Sequence, residues 1–446
     1  MLAQTKKIIR DLGDGLILRH GLPEDGEALA LFNGEQHGEG GLASWDGQGL
    51  AAMTRDLFTR PHVSLTPNDF TIVEETASGR IVSSMCLIQQ TWTYEGIEFG
   101  MGRPEYVASH PDFRKRGLIR AQFEVVHQWS AERGLMVQGI TGIPYFYRQF
   151  GYEFALNLDG RRFGSQVPNL KDGETEKFCM RPAEKKDIVF MMSVYDYGRK
   201  RSMVSANWPQ VHWHNNLYEM SDHNIQRLVF CVIERVDSHE PIGYLALAPQ
   251  LRRTGVNMFH YELMPGISWL EVTPGVVRYL WNVGQEYARA ENRPFATFGF
   301  ILGAQHPAYI VLGDGLPQVR EPYAWYLRVP DVIGFLHHIK PVLEKRLAES
   351  IACGHSGEFL VGMYPEGAKL ILERGKIAGI ESWKPAHADH GNAGFPALTF
   401  LQILFGYRSY EELKHAFPDC WWDNDQTRVL INALFPKKNS NVYGIV

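Results

Sequence analysis

The sequence is poor in cysteine, and its few cysteines are scattered. The 446 residues contain Cys86, Cys179, Cys231, Cys353 and Cys420. Their number is odd and none forms a CxxC pair, which argues against a disulfide framework and against a zinc-finger site. Such usage is typical of a protein kept in a reducing compartment, so we expect a cytoplasmic location.

Long hydrophobic runs and an excess of positive charge are also lacking. No window reaches the ~18 apolar residues that a membrane helix needs, and the first residues have no apolar run of the signal-peptide kind. The formal net charge is −5 at pH 7, which gives no overall field to attract nucleic acid or anionic lipid. We therefore expect no nucleic-acid partner and no membrane, and any basic site must be local.

What is present is the composition of a folded protein with several cores. Apolar residues make up 45% and charged residues 21% of the chain, which is ordinary for globular domains. At about 100–200 residues per domain, the length suggests two to four units. Changes of pattern along the chain predict three units, over residues 1–166, 167–330 and 331–446.

The first unit has the pattern of a mixed α/β layer. Residues 69–76 and 80–96 are rich in β-branched and apolar residues and flank a Ser-Gly turn, which predicts a hairpin. After Gly117, apolar residues recur at three- and four-residue spacing, which predicts a helix that ends near Gly134. A strand follows, and then YFYRQFGYEF predicts a short helix that leads into another strand.

The second unit repeats this order in weaker form, which predicts an internal duplication. The spacing from Tyr309 to Gly313 equals that from Tyr147 to Gly151. A helix is predicted over residues 276–290, in the place of the helix after Gly117. The turn before it, EVTPGVV, has no basic cluster, so we expect the second copy to lack an anion site.

The third unit is predicted to be a small α+β domain. It opens with a Pro-Asp helix start and one amphipathic helix, VIGFLHHIKPVLEKRLAES. Three alternating segments with glycine-bearing turns predict hairpin strands, and TFLQILFGYRSYEELKHAF and RVLINALF predict further helices. The whole chain is therefore assigned to the α/β (α+β) class.

One basic stretch stands out in the first unit. SHPDFRKRGLIR, residues 109–120, places three basic residues directly before a glycine and an apolar helix. Between a strand and a helix N-terminus, such a turn offers free backbone N–H groups, the positive end of a helix dipole and side-chain cations. Taken alone it is either a solvated surface turn or a phosphate cradle.

These residues resemble the acetyl-CoA-binding loop of the GNAT acetyltransferase superfamily. The loop pattern is Arg or Gln, two residues, Gly, one residue, then Gly or Ala, and RKRGLI fits it except that Ile119 replaces the small residue. VASHPDFRKRG and YFYRQFGYEF also look like segments of that family. Along nearly its whole length the chain resembles the Eis-type (enhanced intracellular survival) acetyltransferases, which join a GNAT domain, a degenerate second one and a sterol-carrier-like domain.

The resemblance implies roles for matched positions. Backbone groups of the strand before the loop would bind the pantetheine arm, and the loop itself would bind the pyrophosphate. Tyr147 matches the tyrosine that protonates the departing thiolate, a role for which a phenol with pKa near ~10 is suited. The residues implied to contact the cofactor are Val107, Ala108, Ser109, Arg114, Lys115, Arg116, Gly117, Leu118, Ile119, Arg120, Gly142 and Ile143.

Acetyl transfer also requires a base, because an amine acceptor is mostly protonated at neutral pH. In Eis-type proteins the terminal carboxylate folds back into the active site in this role, and here it would belong to Val446. An α-carboxyl has a pKa of ~3.5 and is therefore ionised. Glu105 and Glu153 are alternative bases that the sequence cannot place.

Other chemistry-bearing residues have simpler interpretations. Tyr147 stands among aromatic residues that could serve packing alone. The HWH triplet at residues 212–214 and HADH at residues 387–390 contain metal-ligand side chains, but they lie in different units without further paired ligands. We assign no metal site.

The expected activity is acetyl transfer from acetyl-CoA to an amine by direct attack, since no cysteine lies near the loop to act as nucleophile. The acceptor could be an aminoglycoside, a polyamine, a lysine side chain or a peptide N-terminus. The resemblance also implies a homo-oligomer. Two alternatives remain at this point: a non-catalytic protein that binds acyl-CoA or an apolar ligand, and a scaffold with a vestigial site.

Overall fold

The computed structural model describes residues 6–59, 62–386 and 390–443 of the chain. Within these residues the chain forms three sheets with helices packed against them, which confirms the predicted mixed α/β class. The sheets are numbered 1 to 3 in the order in which the chain builds them.

The N-terminal part of the chain contributes the elements around the basic turn. Its strands are β1 (Ile8–Gly13), β2 (Leu16–His20), β3 (Phe70–Glu75), β4 (Arg80–Tyr94), β5 (Ile97–Ser109), β6 (Val137–Ile140), β7 (Glu153–Leu158) and β8 (Arg161–Gly164). Its helices are α1 (Gly26–His37), α2 (Trp45–Thr59) and α3 (Leu118–Glu132). The predicted hairpin is confirmed by β3 and β4, and the predicted helix after Gly117 is α3.

The middle part contributes a similar series. Its strands are β9 (Phe178–Pro182), β10 (Val204–Asn207), β11 (Val229–Arg235), β12 (Pro241–Leu247), β13 (Gly255–Leu263), β14 (Thr297–Phe300), β15 (Gln318–Arg320) and β16 (Tyr323–Arg328). Its helices are α4 (Ile188–Gly198), α5 (Gln210–His214), α6 (Trp269–Glu291) and α7 (Pro307–Leu312).

The prediction for the long helix of this part was wrong at its start. The helix α6 begins at Trp269 rather than at residue 276, and Pro274 lies inside it. A proline removes one backbone donor from a helix. The helix continues nevertheless, since Val272 and Val276 on either side of the proline are fully buried in the core of this part.

The C-terminal part combines helices and strands, as its sequence pattern predicts. Its strands are β17 (Gly357–Gly362), β18 (Gly367–Glu373), β19 (Lys376–Trp383), β20 (Ala393–Gly394) and β21 (Trp421–Trp422). Its helices are α8 (Val332–His338), α9 (Lys340–Ala348), α10 (Phe400–Leu404), α11 (Tyr410–Ala416) and α12 (Asp425–Leu434). The single amphipathic helix predicted after Asp331 is divided into α8 and α9, because Pro341 disfavours helical geometry in the residues just before it.

Sheets 1 and 2 have the same construction. Sheet 1 has the order β2-β3-β4-β5-β6-β16-β7, extended by β1 beside β2 and by β10 beside β4. Sheet 2 has the order β9-β11-β12-β13-β14-β8-β15. In each order the first four strands pair antiparallel with one another. The fourth and fifth strands form a parallel pair, β5 with β6 in sheet 1 and β13 with β14 in sheet 2, and the sixth and seventh strands are again antiparallel.

An ion-pair cluster is repeated at matching places in the two sheets. In sheet 1, Arg19 binds Asp25 through two hydrogen bonds of 2.7 and 2.8 Å and Glu74 through one of 2.7 Å. In sheet 2, Arg181 binds Asp187 at 2.7 and 2.8 Å and Glu234 at 2.7 Å. The same three residue types in the same arrangement support the predicted duplication at the level of side chains.

The two sheets exchange one strand each. The strand β8, which follows β7 directly, lies in sheet 2 between β14 and β15. Conversely β16, which follows β15 directly, lies in sheet 1 between β6 and β7. Because both strands cross to the neighbouring sheet, the two units are joined by backbone hydrogen bonds, and the boundaries drawn at residues 166 and 330 stay predictions.

No helix in residues 6–59, 62–386 and 390–443 combines the length and the apolar character that crossing a membrane would require.

Candidate active site

A groove opens in sheet 1 where its parallel pair ends. The strands β5 and β6 pair at Met101 with Val137 and at Gly102 with Gln138. Beyond these positions β5 continues to Ser109 and β6 to Ile140. The two strands therefore separate toward their C-terminal ends, where the groove is bordered by Val107, Ala108 and Ser109 on one side and by the loop after β6 on the other.

A β-bulge shapes the β5 side of this groove. Ser84 of β4 pairs with Ala108, whereas Cys86 pairs with Glu105, so that Tyr106 and Val107 together lie opposite a single residue of β4. Tyr106 has φ 55°, in the left-handed region. Such a bulge interrupts the regular ladder and re-aims the strand, a common feature beside active sites.

The basic turn lies at the open end of the groove. Its residues Arg114, Lys115, Arg116 and Gly117 are exposed, and Lys115 and Gly117 both have positive φ, at 64° and 76°. The turn leads into α3, whose first intrahelical hydrogen bond joins the Ala121 N–H to the Gly117 carbonyl at 3.0 Å. The N–H groups of residues 118–120 therefore precede the helical ladder and form an anion-binding helix N-terminus.

The arginines of the turn have weak, exposed partners. Arg116 donates to Asp14 at 3.0 Å, and the Asp14 side chain is 87% exposed. Arg120 donates to Gln149 at 3.2 Å, and Arg114 donates to the Ser109 carbonyl at 3.4 Å. Because exposed pairs of this kind contribute only about 0–1 kcal/mol, these cations can turn toward a phosphate group at small cost.

Tyr147 lies on the opposite border of the groove. It belongs to a 3₁₀ turn, Phe146–Phe150, and is 4% exposed in a core cluster that also contains Ile140 of β6. Val107 and Ile119 pack against the same cluster. The structure thus brings together the predicted acid and predicted cofactor contacts from the strand and from the helix.

The Tyr147 hydroxyl lies against Gly142. A Cβ atom built on Gly142 would be 3.2 Å from the hydroxyl oxygen, and Gly142 has φ 135°. No hydrogen-bond partner of this hydroxyl is found in the described part of the chain. Burial, and then the negative charge of Glu105, raise the pKa of Tyr147 above its usual value, so the hydroxyl keeps its proton at neutral pH and can donate it.

The predicted bases differ in placement. Glu105 lies on β5 and hydrogen-bonds to Arg103. Glu153 is buried on β7 and pairs with Arg148 at 2.8 Å, and burial raises its pKa. Val446 lies outside the described residues. The last described residue, Tyr443, packs against Phe259 and His260 of β13.

The corresponding groove of sheet 2 is largely filled, and a cavity of about 60 Å³ remains there, lined by residues of β13, by His306 and by the chain end 441–443. The strands β13 and β14 pair at four consecutive positions, ending at Met258 with Phe300. Beyond these positions the His306 side chain hydrogen-bonds to the Tyr261 carbonyl of β13 at 3.0 Å. The Trp269 ring packs edge-on against the rings of Tyr261 and His306. The His306 side chain thus occupies the backbone edge that remains open in sheet 1, and the predicted lack of an anion site in the second copy stays a prediction.

The matching tyrosine of the second unit already has hydrogen-bond partners for its hydroxyl. Tyr309 stands at the position of Tyr147, and its hydroxyl accepts from the Leu302 N–H and donates to the Phe300 carbonyl, both at 3.1 Å. The Tyr309 hydroxyl therefore ties its turn to residues 300 and 302, whereas the Tyr147 hydroxyl faces the groove without a hydrogen bond to the described residues.

Two site residues were missed by the sequence analysis. Tyr323 and Tyr326 of β16 donate hydrogen bonds to the carbonyls of Gly142 and Ile143, at 3.0 and 3.2 Å. The segment YAWYLR reads as a strand, but its local pattern contains no signal that it pairs with β6. Its density of aromatic residues is the one feature that could have drawn attention to it.

The histidines considered as metal ligands do not form a site in the described residues. His212 and His214 lie on α5, while His387 lies outside the described ranges. Among residues 6–59, 62–386 and 390–443, no cluster of three or more histidine, cysteine or acidic side chains is arranged to hold a metal ion.

Comparison with known proteins finds a family match within the part of the chain that forms this groove. Residues 54–155 match the family model described as an acetyltransferase (GNAT) domain, and this range contains β5, the basic turn, α3 and Tyr147. No curated protein matches the chain.

Solved structures share the fold over nearly the whole chain at low sequence identity. A conserved protein of unknown function from Enterococcus faecalis V583, described as a probable N-acyltransferase, is 12% identical with a TM-score of 0.63, covering 95% of this chain and 97% of that chain. A GCN5-related N-acetyltransferase from Kribbella flavida is 15% identical (TM-score 0.62; 96% and 97%). Eis1 from Mycobacterium abscessus is 13% identical (TM-score 0.58; 95% and 98%).

Proposed function

We propose that the protein is an N-acetyltransferase that moves an acetyl group from acetyl-CoA to a primary amine. One observation carries the proposal: a single groove has an unengaged helix N-terminus with cations at one end and the protonated Tyr147 hydroxyl on its border. The match of residues 54–155 to the GNAT acetyltransferase domain supports the reaction class.

Acetyl-CoA would lie along the separated ends of β5 and β6. Its pyrophosphate is assigned to the N–H groups that open α3 and to the cations Arg114, Lys115, Arg116 and Arg120. Its pantetheine arm is assigned to the backbone of residues 107–109, with Gly142 and Ile143 on the other side. The positive φ of Gly117 and the absence of its side chain leave the helix N-terminus accessible to the phosphates.

The chemistry is a direct transfer. The amine nitrogen attacks the thioester carbonyl carbon, the carbon–nitrogen bond forms and the carbon–sulfur bond breaks. The departing thiolate takes the phenolic proton of Tyr147, and the nitrogen gives its extra proton to a base. Burial keeps the phenolic proton on oxygen at neutral pH, and the same buried surroundings would make a thiolate formed beside it more basic.

We assign the base to the terminal carboxylate of Val446, with Glu105 as the alternative. The assignment to Val446 rests on the resemblance to Eis-type proteins alone, because Val446 lies outside the described residues and Tyr443, the last of them, packs on β13 of sheet 2.

The finer parts of the assignment have two sources. The resemblance to Eis-type proteins implies a homo-oligomer and a sterol-carrier-like third unit over residues 331–446 after GNAT units at 1–166 and 167–330, while the scattered cysteines favour a cytoplasmic location. The acceptor is an amine of the aminoglycoside, polyamine, lysine or peptide-amine class. The fold of Eis1 from Mycobacterium abscessus covers 95% of this chain, which supports a fold shared along nearly the whole chain.

A second candidate function concerns the third unit. A cavity of about 410 Å³ is lined there by Tyr364, Phe395, Pro396 and Trp421, among others. Its largely apolar lining favours a protein that also binds an apolar ligand. This function is independent of the groove in sheet 1.

The decisive experiment measures thiol release from acetyl-CoA across a panel of primary amines. Release with at least one amine supports the enzyme. Binding of CoA without release for any amine supports a binding protein, and absence of binding supports a scaffold. Binding itself is read from thermal stability, since a ligand at a hundred times its dissociation constant adds about 2.7 kcal/mol.

A further inference from the structure

We infer that the exchanged strand β16 completes the active site, and that Tyr323 and Tyr326 are positioning residues for it. The inference rests on the proposed function, because it concerns the same groove. It assigns to a strand outside the matched range 54–155 the task of fixing the loop that carries Gly142, Ile143 and Tyr147.

The loop after β6 depends on β16 for its polar contacts. Tyr323 donates to the Gly142 carbonyl at 3.0 Å, and Tyr326 donates to the Ile143 carbonyl at 3.2 Å. Ile143 itself is 60% exposed and Tyr145 has φ 60°, in the left-handed region. An exposed loop with a strained residue needs external contacts to hold one conformation, and two consecutive carbonyls receive them here.

The turn that carries Tyr147 is held by the same strand. The Tyr326 ring is fully buried, lies edge-on to the Tyr147 ring at 5.4 Å and stacks on Phe154 at 3.9 Å. At the end of the turn, Arg328 lies beside Gly151, near enough that a Cβ there would be 3.4 Å from its Nε atom. The strand β16 thus contacts both the Tyr147 ring and the end of the turn that carries it.

One of the two carbonyls also accepts a hydrogen bond from the backbone of its own turn. The Ile143 carbonyl accepts from the Phe146 N–H at 3.3 Å as well as from Tyr326. Removal of the tyrosine hydroxyl would leave the turn with the longer of these bonds alone. Opening of the turn would then move the Tyr147 hydroxyl away from the groove without unfolding sheet 1.

The test compares Tyr323→Phe, Tyr326→Phe and the double variant with wild type. Each change removes one hydroxyl and keeps the ring, so packing is preserved. Tyr195→Phe is the matched control, since Tyr195 also donates to a backbone carbonyl, that of Ala206 at 2.8 Å, but in the middle unit. If the double variant does not fold, Tyr323→Phe alone suffices, because Tyr323 is 41% exposed.

Two readouts separate this inference from the proposed function. Hydrogen–deuterium exchange of residues 141–150 in the ligand-free protein should become about 3- to 10-fold faster in the double variant, the range expected for loss of ordinary hydrogen bonds. In turnover, KM for acetyl-CoA should rise and kcat should fall by similar factors, while Tyr195→Phe changes neither readout.

Unchanged exchange in the double variant would overturn the inference, whatever the activity. Faster exchange in a protein whose wild type releases no thiol would instead support β16 as the support of the loop and count against acetyl transfer. Faster exchange with unchanged kcat and KM would remove the positioning role, since the loop would then be mobile without consequence for the reaction.

Discussion

At the scale of single residues, the two matched tyrosines differ in their proposed roles: Tyr147 is assigned to catalysis and Tyr309 to stability. The Tyr309 hydroxyl makes two hydrogen bonds to the backbone, whereas the Tyr147 hydroxyl faces the groove. Tyr147→Phe should therefore lower kcat about 100-fold or more, as expected for loss of a general acid, with little change in Tm. Tyr309→Phe should do the reverse, costing about 1 kcal/mol of stability and no activity. Thiol-release kinetics and thermal melts of both variants check the pair.

Gly142 permits a close contact as well as an unusual backbone angle. Gly142→Ala places a methyl group 3.2 Å from the Tyr147 hydroxyl at φ 135°, so we expect lower kcat and weaker acetyl-CoA binding. Gly134→Ala is the control, because Gly134 has φ 65° and open space at its Cβ position. Both changes should cost about 1–2 kcal/mol of stability, but Gly134→Ala should leave kcat unchanged. Equal kinetics in the two variants would contradict the assigned contact.

At the scale of elements, the same tripeptide occurs in two settings. Arg-Lys-Arg stands at residues 114–116, before α3, and again at residues 199–201, where β10 follows rather than a helix. If the helix N-terminus creates the phosphate site, Lys115→Ala should weaken acetyl-CoA binding several-fold and reduce its salt dependence, whereas Lys200→Ala should do neither. Calorimetric titration at two ionic strengths distinguishes the variants, and an equal effect of both would indicate non-specific charge attraction.

Elements also mark how far the sequence could predict the site. The helix α3 and the hairpin of β3 and β4 were predictable, because apolar periodicity and turn residues are local signals. The groove border formed by Gly142 and Tyr147 was found through resemblance. The pairing of β16 with β6 was not predictable, since Tyr326 and Ile140 are joined by backbone pairing across a long sequence separation, and a strand pattern specifies no partner. The filling of the second groove by His306 depends likewise on tertiary packing.

At the scale of the whole molecule, the exchanged strands predict that the first unit does not fold when it is produced alone. Residues 1–166 alone would lack β16 and leave the facing edges of β6 and β7 unpaired, and unpaired edges promote aggregation. We expect this fragment to be aggregated or unfolded by size-exclusion chromatography and circular dichroism. A fragment of residues 1–330, which retains both exchanged strands, is the matched comparison. A monomeric, folded and active 1–166 fragment would show that β16 is dispensable.

Buried histidines give the molecule a predictable response to acid. His260 and His306 are buried, and burial lowers the pKa of each to about 3. Since an unfolded imidazole has a pKa of ~6.5, the unfolded chain binds protons that the folded chain excludes between these values. Stability should therefore fall as pH drops below about 6.5, by about 2 kcal/mol per histidine at pH 5. Melts from pH 7 to pH 5 test this, and a Tm independent of pH would contradict it.

The exchange of strands has a consequence for synthesis on the ribosome. When β7 has been made, sheet 1 still lacks the strand that belongs between β6 and β7, and that strand ends only at Arg328. At 5–20 residues per second, the nascent N-terminal fold must wait roughly 10–30 s with an open seam. Translation speed over the middle of the message, and chaperones that shield the seam, should therefore influence the yield of active protein.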